Sequence, residues 1–212
     1  MADRTLNLRS GPSSNPVLAV REPDRGQSTA ELRTVVDLRA RNANTVKMAS
    51  PLPDPQGIFN RAACARYISL LDFMFGFEKV RILLEHVGRT AVTTPDGNMI
   101  SHVIQIGDCN ASAMFQALMN HLFSPYMGVF MDIYIDDVMI YSHTIEDHVK
   151  HIKLVIDVLK RENFYLNLDK LHFIVSEVKL LGHIMGWNGI QMDPAKVDSV
   201  VNWKVPTNRD LL

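Results

Sequence analysis

Apolar runs broken by Gly, Pro, Asn and Asp mark the elements of this chain. Pro16-Val-Leu-Ala-Val20 and Arg33-Thr-Val-Val-Asp-Leu-Arg39 flank the turn-rich stretch Arg21–Ser28 and predict a long-looped antiparallel hairpin. Residues 43–57, with Pro51, Pro53, Pro55 and Gly57, read as an extended linker before a short helix over about 57–66. Tyr67-Ile-Ser-Leu-Leu-Asp72 is a mostly apolar run that ends on a carboxylate. Val80–Leu84 and Thr90–Thr94 read as strands, the second closed by the turn Thr94-Pro-Asp-Gly97. Asn110 is placed to cap a helix from Ala111 to about Phe123, with Met114, Leu118, Met119 and Leu122 as its stripe. Two further β-rich runs, Gly128–Ile135 and Val138–Tyr141, are separated only by Asp136 and Asp137. Thr144 and Asp147 open a helix whose apolar face carries Ile145, Val149, Ile152, Val155, Ile156 and Leu159. Residues 164–175 have no clear period. Val178–Met185 and Ile190–Met192 flank Gly186-Trp-Asn-Gly189 as a hairpin, Asp193-Pro194 starts a helix, and Thr207 with Asp210 starts another. Hairpins and packed helices without β-α-β alternation make the chain α+β.

Composition narrows the class. With 212 residues, 47% hydrophobic and 21% charged, the chain has enough apolar residues for a core of one domain or two small lobes. No run of about 18 apolar residues suggests a membrane helix, and the N-terminus lacks the apolar core of a secretory signal. Cys64 and Cys109 form neither a disulfide framework nor a zinc spacing, so the expected location is intracellular, cytoplasm and nucleus being undistinguished. The net charge is −1, against a uniformly basic nucleic-acid coat but not against a local basic cleft. Residues 1–50 carry 8 basic and 5 acidic groups, a mild excess that also suits a solvated arm.

Asp136 and Asp137 are the candidate chemistry. An exposed turn is the ordinary setting for an Asp pair. Here the flanks are apolar enough for a central hairpin, Asp-Asp is not what a tight hairpin turn prefers, and Asp72 closes another apolar run. Carboxylates on neighbouring strand ends hold hard cations such as Mg²⁺ through oxygen. Two such ions about 3.5–4 Å apart stabilise the entering and leaving oxygens of phosphoryl transfer.

Tyr134-Ile-Asp-Asp137 resembles the Tyr-x-Asp-Asp motif of reverse transcriptases, and its neighbours resemble the gypsy-type long-terminal-repeat retrotransposon family. Arg33–Arg39 with Asn42 resembles that family's fingers segment, and Pro51-Leu-Pro53 its linker. Ser69-Leu-Leu-Asp72 resembles the strand bearing the first catalytic aspartate. Gly107–Gln116, running on to Asn120, resembles the segment before the catalytic hairpin. Leu180-Leu-Gly-His183 resembles the primer grip, and Asp193–Val197 the segment beyond it. The likeness covers about residues 13–212. It implies a right-hand polymerase: a disordered leader over 1–12, part of the fingers over 13–66, and a palm with the remaining fingers segment over 67–192. The catalytic hairpin would lie at 129–141 and the truncated start of a thumb at 193–212. It further implies two Mg²⁺, or Mn²⁺, at a metal site of Asp72, Asp136, Asp137 and Phe73, the three carboxylates being catalytic and Asp137 the weakest ligand candidate. Arg33, Phe77 and Ile106 would bind the nucleotide, with Phe77 excluding a 2′-hydroxyl. Tyr134, Gln116, Leu181 and Gly182 would meet primer and template. Implied partners are an RNA or DNA template with primer and deoxynucleoside triphosphates. Thumb, ribonuclease H and integrase would belong to the rest of a Pol polyprotein, and no membrane is implied.

Several positions depart from the family pattern. Glu22 stands at a fingertip position where relatives often carry Lys, Ile106 where several have Gln or an aromatic, Ser112 where Pro is usual, and Lys79 where Gln is common. Such changes suit a weakened or decaying element copy. Two functions therefore stay open: an RNA-directed DNA polymerase domain, or a catalytically silent remnant that binds nucleic acid or protein. A calcium loop is a third, weaker alternative, because the oxygen ladder of an EF-hand is missing. His143, His148 and His151 read as a solvated helix face, Trp187 as a turn-packing aromatic, and Cys109 as an unactivated thiol.

Overall fold

The computed structural model describes the backbone of residues 7–8, 15–21, 32–49, 52–94 and 97–203, and side chains from Val36 onward within them. Most of the leader, Glu22, Arg25, Pro51, Pro95-Asp96 and the Thr207–Asp210 helix start lie outside the described residues. In chain order the first elements are β1 (Asn7–Leu8), β2 (Asn15–Arg21), β3 (Leu32–Val36), α1 (Arg39–Ala43), α2 (Pro55–Ala62) and β4 (Tyr67–Met74). Then come α3 (Leu84–Val87), β5 (Val92–Thr94), β6 (Gly97–Ile100), α4 (Ala111–Leu122), β7 (Met131–Tyr134) and β8 (Asp137–Ser142). The last are α5 (Ile145–Arg161), β9 (Tyr165–Leu166), β10 (His172–Val175), β11 (Glu177–Leu180), β12 (His183–Gly186), β13 (Gly189–Met192) and α6 (Pro194–Val201).

The chain divides into two compact units, Met1–Pro51 with Phe75–Leu118, and Leu52–Met74 with Met119–Leu212. The first unit carries a five-stranded sheet in the order β1-β6-β5-β2-β3. β2 and β3 form the expected antiparallel hairpin, from Val17↔Val36 to Arg21↔Leu32. Val80–Leu84 is not the strand its apolar run suggests. A 3-10 turn spans Phe77–Lys79, one bridge joins Arg81 to Val103, and α3 begins at Leu84. Leu83 and Leu84 are exposed, and Ile82 is partly buried against Val87, Ala91 and Ile100. Asn110 does not spend its side chain on the helix behind it. Its Oδ1 accepts the Met48 N–H and its Nδ2 donates to the Val46 carbonyl, both at 2.9 Å, pinning an otherwise irregular loop.

The second unit carries the sheet β10-β4-β8-β7, with β9 also on β4, and the meander β11-β12-β13. β4 is buried on both faces. Ile68 and Leu70 join Met139 and Tyr141 of β8, Ile58, Phe59 and Ala62 of α2, and Val178, Leu180 and Met185 of the meander in one core. α2 starts earlier than the proline pattern suggests. Asp54 accepts the N–H groups of Gln56 and Gly57, and Pro55 fits the first helical position, where no N–H is needed. Val178–Met185 is not one strand either. Leu181 and Gly182 both have positive φ (49° and 77°) and turn the chain between β11 and β12. The apolar pattern runs through that turn unbroken, which hides it from the sequence. The unreadable stretch 164–175 supplies β9, a 3-10 turn at Leu168–Lys170 and β10.

Candidate catalytic carboxylate cluster

Antiparallel register places the acids. Tyr134 pairs with Asp137, so the tip of the β7–β8 hairpin is Ile135-Asp136, one residue earlier than the sequence pattern puts it. Asp137 is then the first residue of β8 and lies directly opposite Asp72 on β4. Opposed residues in an antiparallel pair project to the same face. Asp137, the least certain of the three from sequence, is thereby the best placed against Asp72. Ile135 adopts φ 55°, a left-handed conformation that a β-branched side chain disfavours by about 1–3 kcal/mol. The strain sits at the residue that presents Asp136.

The electrostatics fit a cation site. Burial, then the charges of Asp72 and Asp137, push the Asp136 carboxyl up to about 6. Burial and Asp72 push Asp137 up as well. Lys170 opposes both shifts, and its Nζ lies 3.2 Å from Asp72 Oδ2. Asp136 Oδ1 is buried with no hydrogen-bond partner. An orphaned carboxylate oxygen beside two more acids, with an ammonium drawn in, is the donor chemistry a hard divalent ion takes. Among the described residues, no three His, Cys, Asp or Glu side chains stand as a complete ligand set. Mg²⁺ does not need one, because it keeps waters and commonly takes one or two carboxylates plus substrate phosphates.

The other sequence candidates are placed as follows. Phe73 is buried, with its ring against Phe164 at 5.3 Å between centroids. Tyr134 and Leu181 pack on the core of the second unit. Gly182 lies in the β11–β12 turn with Lys196 over it: a Cβ there would fall 2.0 Å from Nζ. Within the first unit, Phe77 packs on Phe115 at 5.1 Å and Ile106 is exposed. Gln116 is fully buried in α4. Arg33 lies on β3, and its side chain is outside the described residues.

Two polar networks were not legible as such. Arg61 of α2 donates from Nε and a terminal nitrogen to the two oxygens of buried Asp132 on β7, both at 2.9 Å. The Tyr141 hydroxyl donates to Asp132 Oδ2 at 3.0 Å, and burial and that carboxylate push the phenol up. The signal was an acid between Met131 and Ile133 in a run otherwise fit for a sheet interior.

The second network corrects the solvated-face expectation for His148, while His143 is exposed as expected. His148 is fully buried, with Nε2 2.8 Å from Ser69 Oγ and Nδ1 2.8 Å from Ser142 Oγ. Ser142 Oγ also lies 2.8 Å from His151 Nδ1, and His151 stacks on Phe130. Ser69 Oγ accepts the Ile174 N–H, which leaves its hydroxyl proton for His148. Burial, then His151, hold His148 down to about 4. A neutral buried imidazole stabilises the fold fully above its unfolded pKa near 6.5. That stability is lost as pH falls toward 4, by roughly 3 kcal/mol. His148→Gln is expected to flatten urea-melt stability between pH 7 and 4.5. A variant as acid-labile as the wild type would assign the lability to other groups.

No helix among the described residues is long and apolar enough to cross a membrane. The family described as reverse transcriptase (RNA-dependent DNA polymerase) matches residues 20–185. The chain is 28% identical over 208 residues to the retrovirus-related Pol polyprotein from transposon opus of Drosophila melanogaster, covering 98% of this chain and 21% of that protein. It is 28% identical over 174 residues to the Pol polyprotein from transposon gypsy of the same fly, covering 82% of this chain and 17% of that one. The chain thus spans about a fifth of the length of these relatives. A foamy viral protease-reverse transcriptase, solved with an RNA/DNA hybrid, superposes with a TM-score of 0.82 at 23% identity, over 95% of this chain and 26% of that one. That likeness establishes the α+β polymerase fold.

Proposed function

The chain belongs to the reverse transcriptase (RNA-dependent DNA polymerase) family, and from that premise we propose that it extends a primer with deoxynucleotides on an RNA or DNA template. The observation that carries the proposal is Asp72 opposite Asp137, with the orphaned Asp136 Oδ1 beside them. The second unit would contain most of the palm, and the first would belong to the fingers. Asp72 and Asp136 would hold two Mg²⁺, or Mn²⁺, with Asp137 completing the negative field and the Phe73 backbone beside it. Divalent ions held by these carboxylates would supply Lewis acidity toward a primer 3′-hydroxyl and positive charge toward the nucleotide phosphates. The chain's own work is position and field. The β4–β8 register sets the spacing of the acids, and the strained tip aims Asp136. Gly182 and Leu181 would pass the primer backbone, with Tyr134 beneath it. Arg33 would meet the triphosphate through its planar fork. The domain would act within a longer Pol polyprotein, as its relatives' names describe.

The test is primer extension on an RNA template with Mg²⁺, wild type against Asp72→Asn. Extension by the wild type alone supports the assignment. Equal extension by both removes it, and binding of primer–template without extension by either favours a silent binding module. Phe77 would exclude a 2′-hydroxyl. Phe77→Ala is expected to raise ribonucleotide incorporation relative to deoxynucleotide by about tenfold or more, read as the ratio of kcat/KM values. An unchanged ratio would leave Phe77 as a packing residue for Phe115.

A further inference from the structure

We propose that Lys170 is a built-in competitor for the metal at this site: its ammonium holds Asp72 in the metal-free protein and must leave before a divalent ion is fully bound. This rests on the polymerase reading of the carboxylates and adds a residue that sets how much metal they demand.

The chain delivers Lys170 to Asp72 by construction. β9 pairs Leu166 with Phe73, the residue after Asp72. The next residue, Asn167, donates its N–H to the carbonyl of Asp72 itself at 2.9 Å. The Asn167 side chain accepts the Asp169 N–H and caps the 3-10 turn Leu168–Lys170. Lys170 therefore starts from a turn stapled to its target and reaches back to Asp72 Oδ2 at 3.2 Å. The contact is asymmetric: the lysine side chain is 63% exposed and the aspartate 21%. A solvated, flexible stem is free to swing away, while the acid it serves stays in place. The field of this one ammonium also lowers the proton affinity of Asp136 and Asp137. In the metal-free state Lys170 is thus a counter-cation for the whole cluster. A divalent ion arriving at Asp72 meets both an occupied oxygen and a like charge.

Calorimetric titration with Mg²⁺, without nucleic acid, tests this on the full chain. Lys170→Met is expected to bind Mg²⁺ about three- to thirtyfold more tightly than wild type, the range of removing one partly screened positive charge. Mg²⁺ should also raise Tm more in the variant than in wild type. Lys170→Arg keeps the charge and should not bind more tightly than wild type. Equal or weaker binding by Lys170→Met overturns the proposal while leaving the carboxylate site standing. If Asp136→Asn binds Mg²⁺ as well as wild type does, the carboxylate reading fails, and this inference with it.

Discussion

Asp136→Asn is expected to abolish primer extension, by a hundred- to a thousandfold or more, while making the metal-free protein more stable. Loss of activity follows from removing a carboxylate where the cluster must hold charge. The gain in stability follows from the cost of keeping that charge. Asp136 is half-buried, faces two like charges and leaves Oδ1 without a donor, and its carboxyl is pushed up to about 6. An acid whose folded pKa lies above its unfolded value destabilises the fold once it ionises. The protein should therefore lose stability from this group as pH rises from about 4 through 6. The neutral amide removes that cost, worth about 1–2 kcal/mol at pH 7 after allowance for solvent screening. Added Mg²⁺ should raise the Tm of wild type and leave the variant unmoved. His148 has the opposite slope over nearly the same pH range, so the two partly cancel in wild type, and Asp136→Asn should expose the full acid lability of the buried imidazole. Denaturant melts at pH 5 and 7.5 read all of this. A variant that is inactive and less stable would mean that Asp136 carries a structural contact instead.

Arg61→Ala is the largest expected loss of stability, about 3–5 kcal/mol. Asp132 is 4% exposed, and its two oxygens depend on the guanidinium and the Tyr141 hydroxyl. Removing Arg61 strands a buried anion in the sheet that carries the β7–β8 hairpin, and the attachment of α2 to β7 is lost with it. Asp132→Asn on the Arg61→Ala background should recover much of the loss, because an amide needs no counter-charge. Wild type, both singles and the double close a cycle by urea denaturation. A double variant no better than Arg61→Ala would assign the loss to the apolar stem of Arg61.

Much of the site could be seen in the sequence because its motifs are local. An apolar run ending at Asp72, an Asp-Asp hairpin and a capped helix behind it are written in neighbouring residues, and β4, β8 and α5 appear where those residues put them. The misses share a cause. Pro55 and Asp54 look like a linker until the helix they cap is present. Leu181-Gly182 look like strand until the pairing of β11 with β12 demands a turn. His148 looks solvated because helical spacing cannot tell which polar residue of α5 meets Ser69, 79 positions away.

By itself the sequence determined most element types, the α+β class, the resemblance to reverse transcriptases and the three candidate acids. Periodicity, capping and turn chemistry act over a few residues and need no third dimension. Only the tertiary structure decided that the hairpin tip is Ile135-Asp136, that Asp137 rather than a turn residue faces Asp72, and that Lys170 is the cation among them. Register between distant strands and the burial of charge are set by cross-strand pairing and desolvation, which exist only once the chain has closed on itself.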